Sequence, residues 1–346
     1  MNRRALVIGV SDYYDPALCP LPACEQDSED VAQLLGQNED GLSNMHVKLC
    51  NRASEYGLSK DHLEGYIEEI LASASSEVVI YFCGHGVLTK GGDFGQIMAS
   101  DLPIDMHWLM ARVNHHNSNA RSTVLILDCC HAGALGVVDN DNGVATVEIQ
   151  RGVTLFAAAD FTQTAIENEL GGKFTAMMIE GLEGKCADIA GRVTTTGLYN
   201  YIESMLQIGG QKPVFAANIS SPCVLRKCQE SVSLNVLKDS MSWFAEDDSQ
   251  LQLDPTFESD RGEVFDEPAE NFEGSPILKK IEPIPANVRK FEKLQSLVSI
   301  GLVQPHMDPK DPENKCHMFW AAVLSRRCEL TRLGRYYWHL VKHNRL

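Results

Sequence analysis

Five short apolar runs mark the first two thirds of the chain: ALVIGV (5–10), VVIYFCG (78–84), STVLILD (122–128), GVTLFAAA (152–159) and PVFAAN (213–218). They are rich in β-branched side chains and bounded by turn formers, the pattern of strands buried on both faces. Between them lie CEQDSEDVAQLLGQ, SKDHLEGYIEEILASA, DMHWLMARVN, FTAMMIEGL and GLYNYIESML, with apolar residues three and four apart as in amphipathic helices. Strands alternating with helices predict an α/β body with a mostly parallel sheet flanked by helices. In such sheets reactive groups gather where strands end at their carboxyl edge. That rule singles out two loops, Gly84-His85-Gly86 and Asp128-Cys129-Cys130-His131-Ala132-Gly133.

The pattern breaks near residue 228. From Glu230 to Glu273 there are thirteen acidic residues against Lys238 and Arg261, which predicts a self-repelling, largely irregular linker over 229–285. Residues 286–346 then carry eleven Lys and Arg against five acids. Here ANVRKFEKLQSLVSIGLV reads as a helix, MFWAAVL as a strand, and CELTRLGRYYWHLVKHNRL as a helix capped by Thr331. The expected organisation is a first domain over 1–228, the acidic linker, and a small α+β domain over 286–346.

Composition narrows the setting. The chain has 346 residues, a net charge of -17 and eleven cysteines. No apolar run approaches the roughly 18 residues of a membrane span, and MNRRALVIGVSDYY breaks off too early for a secretory core. A cytoplasmic protein with reduced thiols is expected, since the cysteine count is odd and no CxxC occurs. His306, Cys316, His317, Cys328 and His339 match no common zinc spacing, so no metal site is assigned.

A cysteine and a histidine at neighbouring strand ends can face one crevice, the geometry that thiol attack on a carbonyl needs. The residues alone leave open whether Cys129 or Cys130 is the nucleophile. Gly86 lets backbone approach a substrate carbonyl, so its N–H and that of the nucleophile are candidate oxyanion donors.

A strand ending in GHG and a later strand ending in DCCHAG, after the opening RALVIGVSDY and LPACEQDSEDVAQLL, resemble the caspase-like cysteine proteases. The metacaspase and prokaryotic orthocaspase branch is the most similar. GGKFTAMMIEGL, GRVTTTGLYNYI and QKPVFAAN resemble later family segments, so about two thirds of the chain is covered in order. The resemblance implies a caspase-like fold and a His85–Cys130 dyad, with Cys129 at the variable position and Ala132 where the family usually has serine. It also implies a basic-residue pocket from Asp27 and Asp128, with Cys24 and Cys83 beside them, hence cleavage of protein substrates after Arg or Lys.

Calcium enters by family analogy only, because DNDNG lacks EF-hand spacing. Family relatives act in defence and cell-death pathways, which is the pathway type implied. The joint between Gly133 and Gly152 holds one basic residue, Arg151, so self-cleavage there has a single candidate position. The C-terminal segment resembles part of a winged helix. It is expected to bind an upstream activating protease or a regulatory protein. Neither a membrane nor nucleic acid is an expected partner, because an acidic chain is repelled by polyanions. The alternative is an inactive caspase-fold regulator that binds nucleic acid through its C-terminal domain.

Several of these residues also have plainer readings. Cys24, Cys83 and Cys129 read equally as small buried hydrophobes, Asp27 as an acid near a helix start, and Asp128 as a turn cap. His131 reads as structural, the NHHN stretch at 114–117 as a solvated helix end with no ligand role, and Asp160 as a plain turn residue or one bordering the substrate cleft.

Overall fold

The computed structural model describes residues 2–89, 95–116, 122–129, 137–139, 144–146, 148–158, 167–168, 171–206, 213–259, 281–306 and 317–346. The chain divides into two compact units, Met1–Gln229 and Glu230–Leu346.

In chain order the first unit contains strand β1 (Arg3–Gly9), helix α1 (Ala23–Gly36), β2 (His46–Cys50), α2 (Lys60–Ala72) and β3 (Glu77–Cys83). Next come the short strands β4 (Gly86–Leu88), β5 (Gly95–Met98) and β6 (Pro103–Asp105), then α3 (Met106–His116) and β7 (Ser122–Asp128). The second half holds β8 (Val137–Asp139), β9 (Val144–Thr146), β10 (Val153–Ala157), β11 (Glu167–Asn168), β12 (Gly171–Gly172) and α4 (Lys173–Glu180). It closes with β13 (Arg192–Thr194), α5 (Thr195–Leu206), β14 (Val214–Asn218) and β15 (Val224–Lys227).

Six strands make the central sheet in the order β14-β10-β7-β3-β1-β2 among the described residues. The five strands from β2 to β10 run parallel, and only β14 is antiparallel, at an edge. The five apolar runs all become strands of this sheet. Edge strand β2 escapes the sequence pattern because HVKLC buries only its last residue.

Strand alternation sends successive side chains to opposite faces and so makes two cores. Leu6, Ile8, Ile80, Phe82, Leu125, Leu127 and Cys129 pack with Leu63 and Ile67 of α2 and Leu109 and Met110 of α3. Ala5, Val7, Val79, Tyr81, Cys83, Val124 and Ile126 pack with Cys24 and Val31 of α1, Phe174 and Met178 of α4, and Leu198 and Ile202 of α5. Gly9 permits the close approach of α1, since a Cβ there would stand 2.4 Å from the Cys24 carbonyl oxygen and 2.5 Å from Ser28 Oγ.

The second unit contains α6 (Leu234–Met241), β16 (Gln250–Gln252), α7 (Pro285–Ser299), β17 (Val303–Pro305), α8 (Met318–Val323), β18 (Arg327–Leu330) and α9 (Arg332–Lys342). Its antiparallel sheet has the order β16-β18-β17. Thr331 caps α9 as expected, its hydroxyl accepting from the Gly334 N–H at 3.0 Å.

Two expectations change here. MFWAAVL is the helix α8, because a short, fully apolar run reads the same for a buried strand and a buried helix. The stretch 230–259 is not an irregular strap but carries α6, β16 and a 3₁₀ turn. Its acids have partners within the unit: Asp239 pairs with Lys293 at 2.6 Å, Asp247 meets His339 at 3.2 Å, and Asp254 caps the 3₁₀ turn. Leu237, Met241, Phe244, Leu253 and Phe257 supply it with apolar side chains to bury.

Candidate active site

β3 and β7 are parallel neighbours in register, with Cys83 beside Asp128. The ladder continues one bond further, from the Gly84 N–H to the Asp128 carbonyl at 3.3 Å. The loop carrying His85 and the chain entering Cys129 therefore leave adjacent strands at one edge of the sheet. Cys130, His131, Ala132, Gly133 and Asp160 lie outside the described residues.

His85 is half-buried. Its Nε2 lies 2.7 Å from the carbonyl oxygen of Cys19. A carbonyl only accepts, so Nε2 carries the proton and the lone pair of the neutral ring falls on Nδ1. His85 also passes its carbonyl into the small β4-β5-β6 sheet, accepting from the Met98 N–H at 2.9 Å. Gly86 is buried and opens β4 opposite Ile97.

Cys129 is 2% exposed and shares the α2/α3 core with Leu125 and Leu127. It is buried within that core, as a structural thiol would be.

The other sequence-predicted residues gather on the α1/α4 side. Cys24 and Cys83 are buried, and Cys83 is held well above the usual thiol range by its hydrogen bond with Cys24, then by desolvation, with Asp128 and Asp27 adding to the effect. Both carboxylates are also within electrostatic range of the buried Tyr81 phenol. Asp27 is half-buried, one turn into α1. Asp128 is 6% exposed, and its Oδ2 accepts from Thr175 Oγ1 at 2.5 Å. The Thr175 oxygen in turn lies 2.7 Å from the Tyr81 hydroxyl. Because the Thr175 proton goes to the carboxylate, Tyr81 is the donor in the second bond, and the relay runs Tyr81 to Thr175 to Asp128.

Sequence reasoning missed Tyr81, Thr175, Tyr13 and the Cys19 carbonyl. Thr175 lay inside a quoted helix start, but nothing local marked its hydroxyl as a partner of a residue 47 positions earlier.

A cavity of about 360 Å³ lies elsewhere, lined by Glu77, Ser122, Arg151, Ser220 and Cys223 among others. Glu77 and Ser122 begin their strands, so this cavity faces the amino edge, opposite His85, and it contains no thiol–imidazole pair. The carboxyl edge, where the candidate chemistry converges, is the better site on geometric grounds. No group of three or more His, Cys, Asp or Glu among the described residues is arranged to hold a metal ion. The C-terminal histidines are separated, with His306 on Glu329 at 2.7 Å, His339 on Asp247, and His317 capping α8.

The described sheet order, its flanking helices and the histidine loop beside the strand that leads to the cysteine pair fit the caspase-like class. The caspase domain matches residues 2–222, and the chain belongs to that family of cysteine peptidases. The fold is similar to caspase-1 from Spodoptera frugiperda, with a TM-score of 0.50 and 11% identity over 66% of this chain and 91% of that one. It is also similar to the structure of pro-sf-caspase-1, with a TM-score of 0.47 and 11% identity over 66% and 92% of the two chains. At such identity the likeness bears on the fold alone. No curated protein matches the chain. No helix of the described residues is long and apolar enough to cross a membrane.

Proposed function

We propose that the protein is an endopeptidase of the metacaspase or orthocaspase branch that cuts protein substrates after Arg or Lys. The observation that supports the reading is the pairing of β3 with β7, which sets the strand before His85 beside the strand that ends at Asp128. Nδ1 of His85 takes the thiol proton as Cys130 Sγ bonds to the scissile carbonyl carbon. The N–H groups of Gly86 and Cys130 receive the oxyanion. The C–N bond then breaks, His85 returns its proton to the leaving amine, and water activated by the same imidazole hydrolyses the thioester to regenerate the thiol.

Asp27 and Asp128, with Cys24 and Cys83 beside them, form the pocket for the basic residue. Two carboxylates can take a guanidinium in bidentate fashion and repel an acidic side chain. The Tyr81–Thr175 relay holds the Asp128 carboxyl in place for this role. No step is routed through calcium, because the described residues provide no donor set for it. The second unit is read as a winged-helix-like module that receives a regulatory protein or an activating protease, in a cytoplasmic defence or cell-death pathway.

The test is a cleavage profile of the full chain on a peptide library, alongside Cys130→Ala. Turnover after Arg and Lys that Cys130→Ala abolishes is the expected result. A wild type inert on all basic and acidic peptides, with or without calcium, overturns it in favour of a non-enzymatic regulator.

A further inference from the structure

The loop joining β1 to α1 crosses the carboxyl edge of the sheet and grips His85 at two points, the Cys19 carbonyl on the ring and Tyr13 on the backbone. We propose that Tyr13 is a positioning residue for the catalytic base, fixing the His85 main chain so that its ring meets the nucleophile in one orientation. This rests on the reading of His85 as the proton acceptor.

The chain leaves β3 at Cys83, and the Gly84 N–H makes the last bond to β7. The next amide, that of His85, has left the ladder and donates instead to the Tyr13 phenol oxygen at 2.9 Å. The phenol proton goes to the Val10 carbonyl at 2.8 Å, and the Val10 N–H goes to the Cys83 carbonyl at 2.9 Å. Three bonds thus tie the end of β1 to the chain leaving β3, two of them through one hydroxyl, which donates once and accepts once.

The rings add to the restraint, with centroids 4.9 Å apart and planes tilted by 46°. Gly84 belongs to the same device. A Cβ there would stand 2.9 Å from the Tyr13 oxygen and 2.9 Å from the Phe82 ring, so any side chain would push the phenol away. Tyr13 packs against both cores of the sheet. It also lies within electrostatic range of Cys83 and Cys129, the residues at the ends of the two loops. Burial keeps its hydroxyl protonated, as the bond to Val10 requires.

Tyr13→Phe keeps the ring and removes the oxygen. In the full chain, the expected result is a loss of kcat on an Arg peptide of about 10-fold, with KM within about twofold, since small misplacements of a reacting group act on kcat. Amide hydrogen exchange at His85 should quicken about 10-fold while the global unfolding midpoint stays within a few degrees. Tyr13→Leu, which also removes the ring, should lose more kcat than Tyr13→Phe.

Wild-type kcat in Tyr13→Phe, or a loss carried by KM, overturns the proposal. So does a loss matched by a global drop in stability with no selective change at His85. His85→Ala separates the two ideas. If it retains turnover, the base assignment falls, and exchange at His85 still decides whether Tyr13 holds that backbone. If it is inert while Tyr13→Phe keeps wild-type kcat, the positioning role falls alone.

Discussion

Asp128 sits at the end of a strand, where its Oδ2 accepts from the Thr175 hydroxyl. Replacing Thr175 by Val keeps the volume and removes the donor. A buried acceptor that loses its bond costs on the order of 1–3 kcal/mol. Thr175→Val should therefore lower the thermal midpoint by several degrees, as calorimetry would record. Under the proposed function it should also raise KM for Arg peptides more than it lowers kcat. Unchanged stability would mean that the relay is not a stabilising contact. The choice between the two adjacent cysteines also belongs to this scale. Alternation along β7 turns Cys129 into the α2/α3 core with Leu125 and Leu127, which leaves that thiol enclosed.

At the scale of elements, the approach of α1 to β1 brings Cys24 and Asp27 toward Cys83 and Asp128. Gly9 sets that approach. Gly9→Ala puts a methyl 2.4 Å from a backbone oxygen, which cannot rotate away, so α1 must shift as a body. Overpacking of this kind costs about 1–3 kcal/mol. The denaturant midpoint should fall accordingly with the slope unchanged, and a neutral substitution would show that the helix has room to move. Elements were also where local reading failed. β2 shows too little burial to stand out, and α8 is apolar all round, so its period was invisible. The charge of the stretch 230–259 suggests an irregular chain, but Leu237, Met241, Phe244, Leu253 and Phe257 give it a buried side.

At the scale of the whole molecule, burial sets the behaviour of several of the described thiols. Desolvation pushes Cys50, Cys223 and Cys328 up to about 12, whereas Cys19 is exposed. A thiol whose folded value is raised contributes stability that is complete below its unfolded value and is lost as pH climbs through the folded one. Stability should therefore decline between about pH 9 and about pH 12. Iodoacetamide at pH 8 should label Cys19 readily, and these three only as the chain unfolds. Mass spectrometry that found Cys50, Cys223 or Cys328 modified in the folded protein would contradict this burial.

The sequence by itself determined the five core strands, the helices between them, the Thr331 cap and the family. Those rest on periodicity and short motifs, which are properties of neighbours along the chain. It also pointed to the ends of β3 and β7, two strands that lie side by side. Tertiary structure decided that β3 lies beside β7, that a carbonyl at Cys19 takes the imidazole proton, that Tyr13 holds the backbone of His85, and that Thr175 meets Asp128. Each of these is a contact between distant segments, and such contacts are chosen by which polar groups are left unpaired once the sheet and helices have packed.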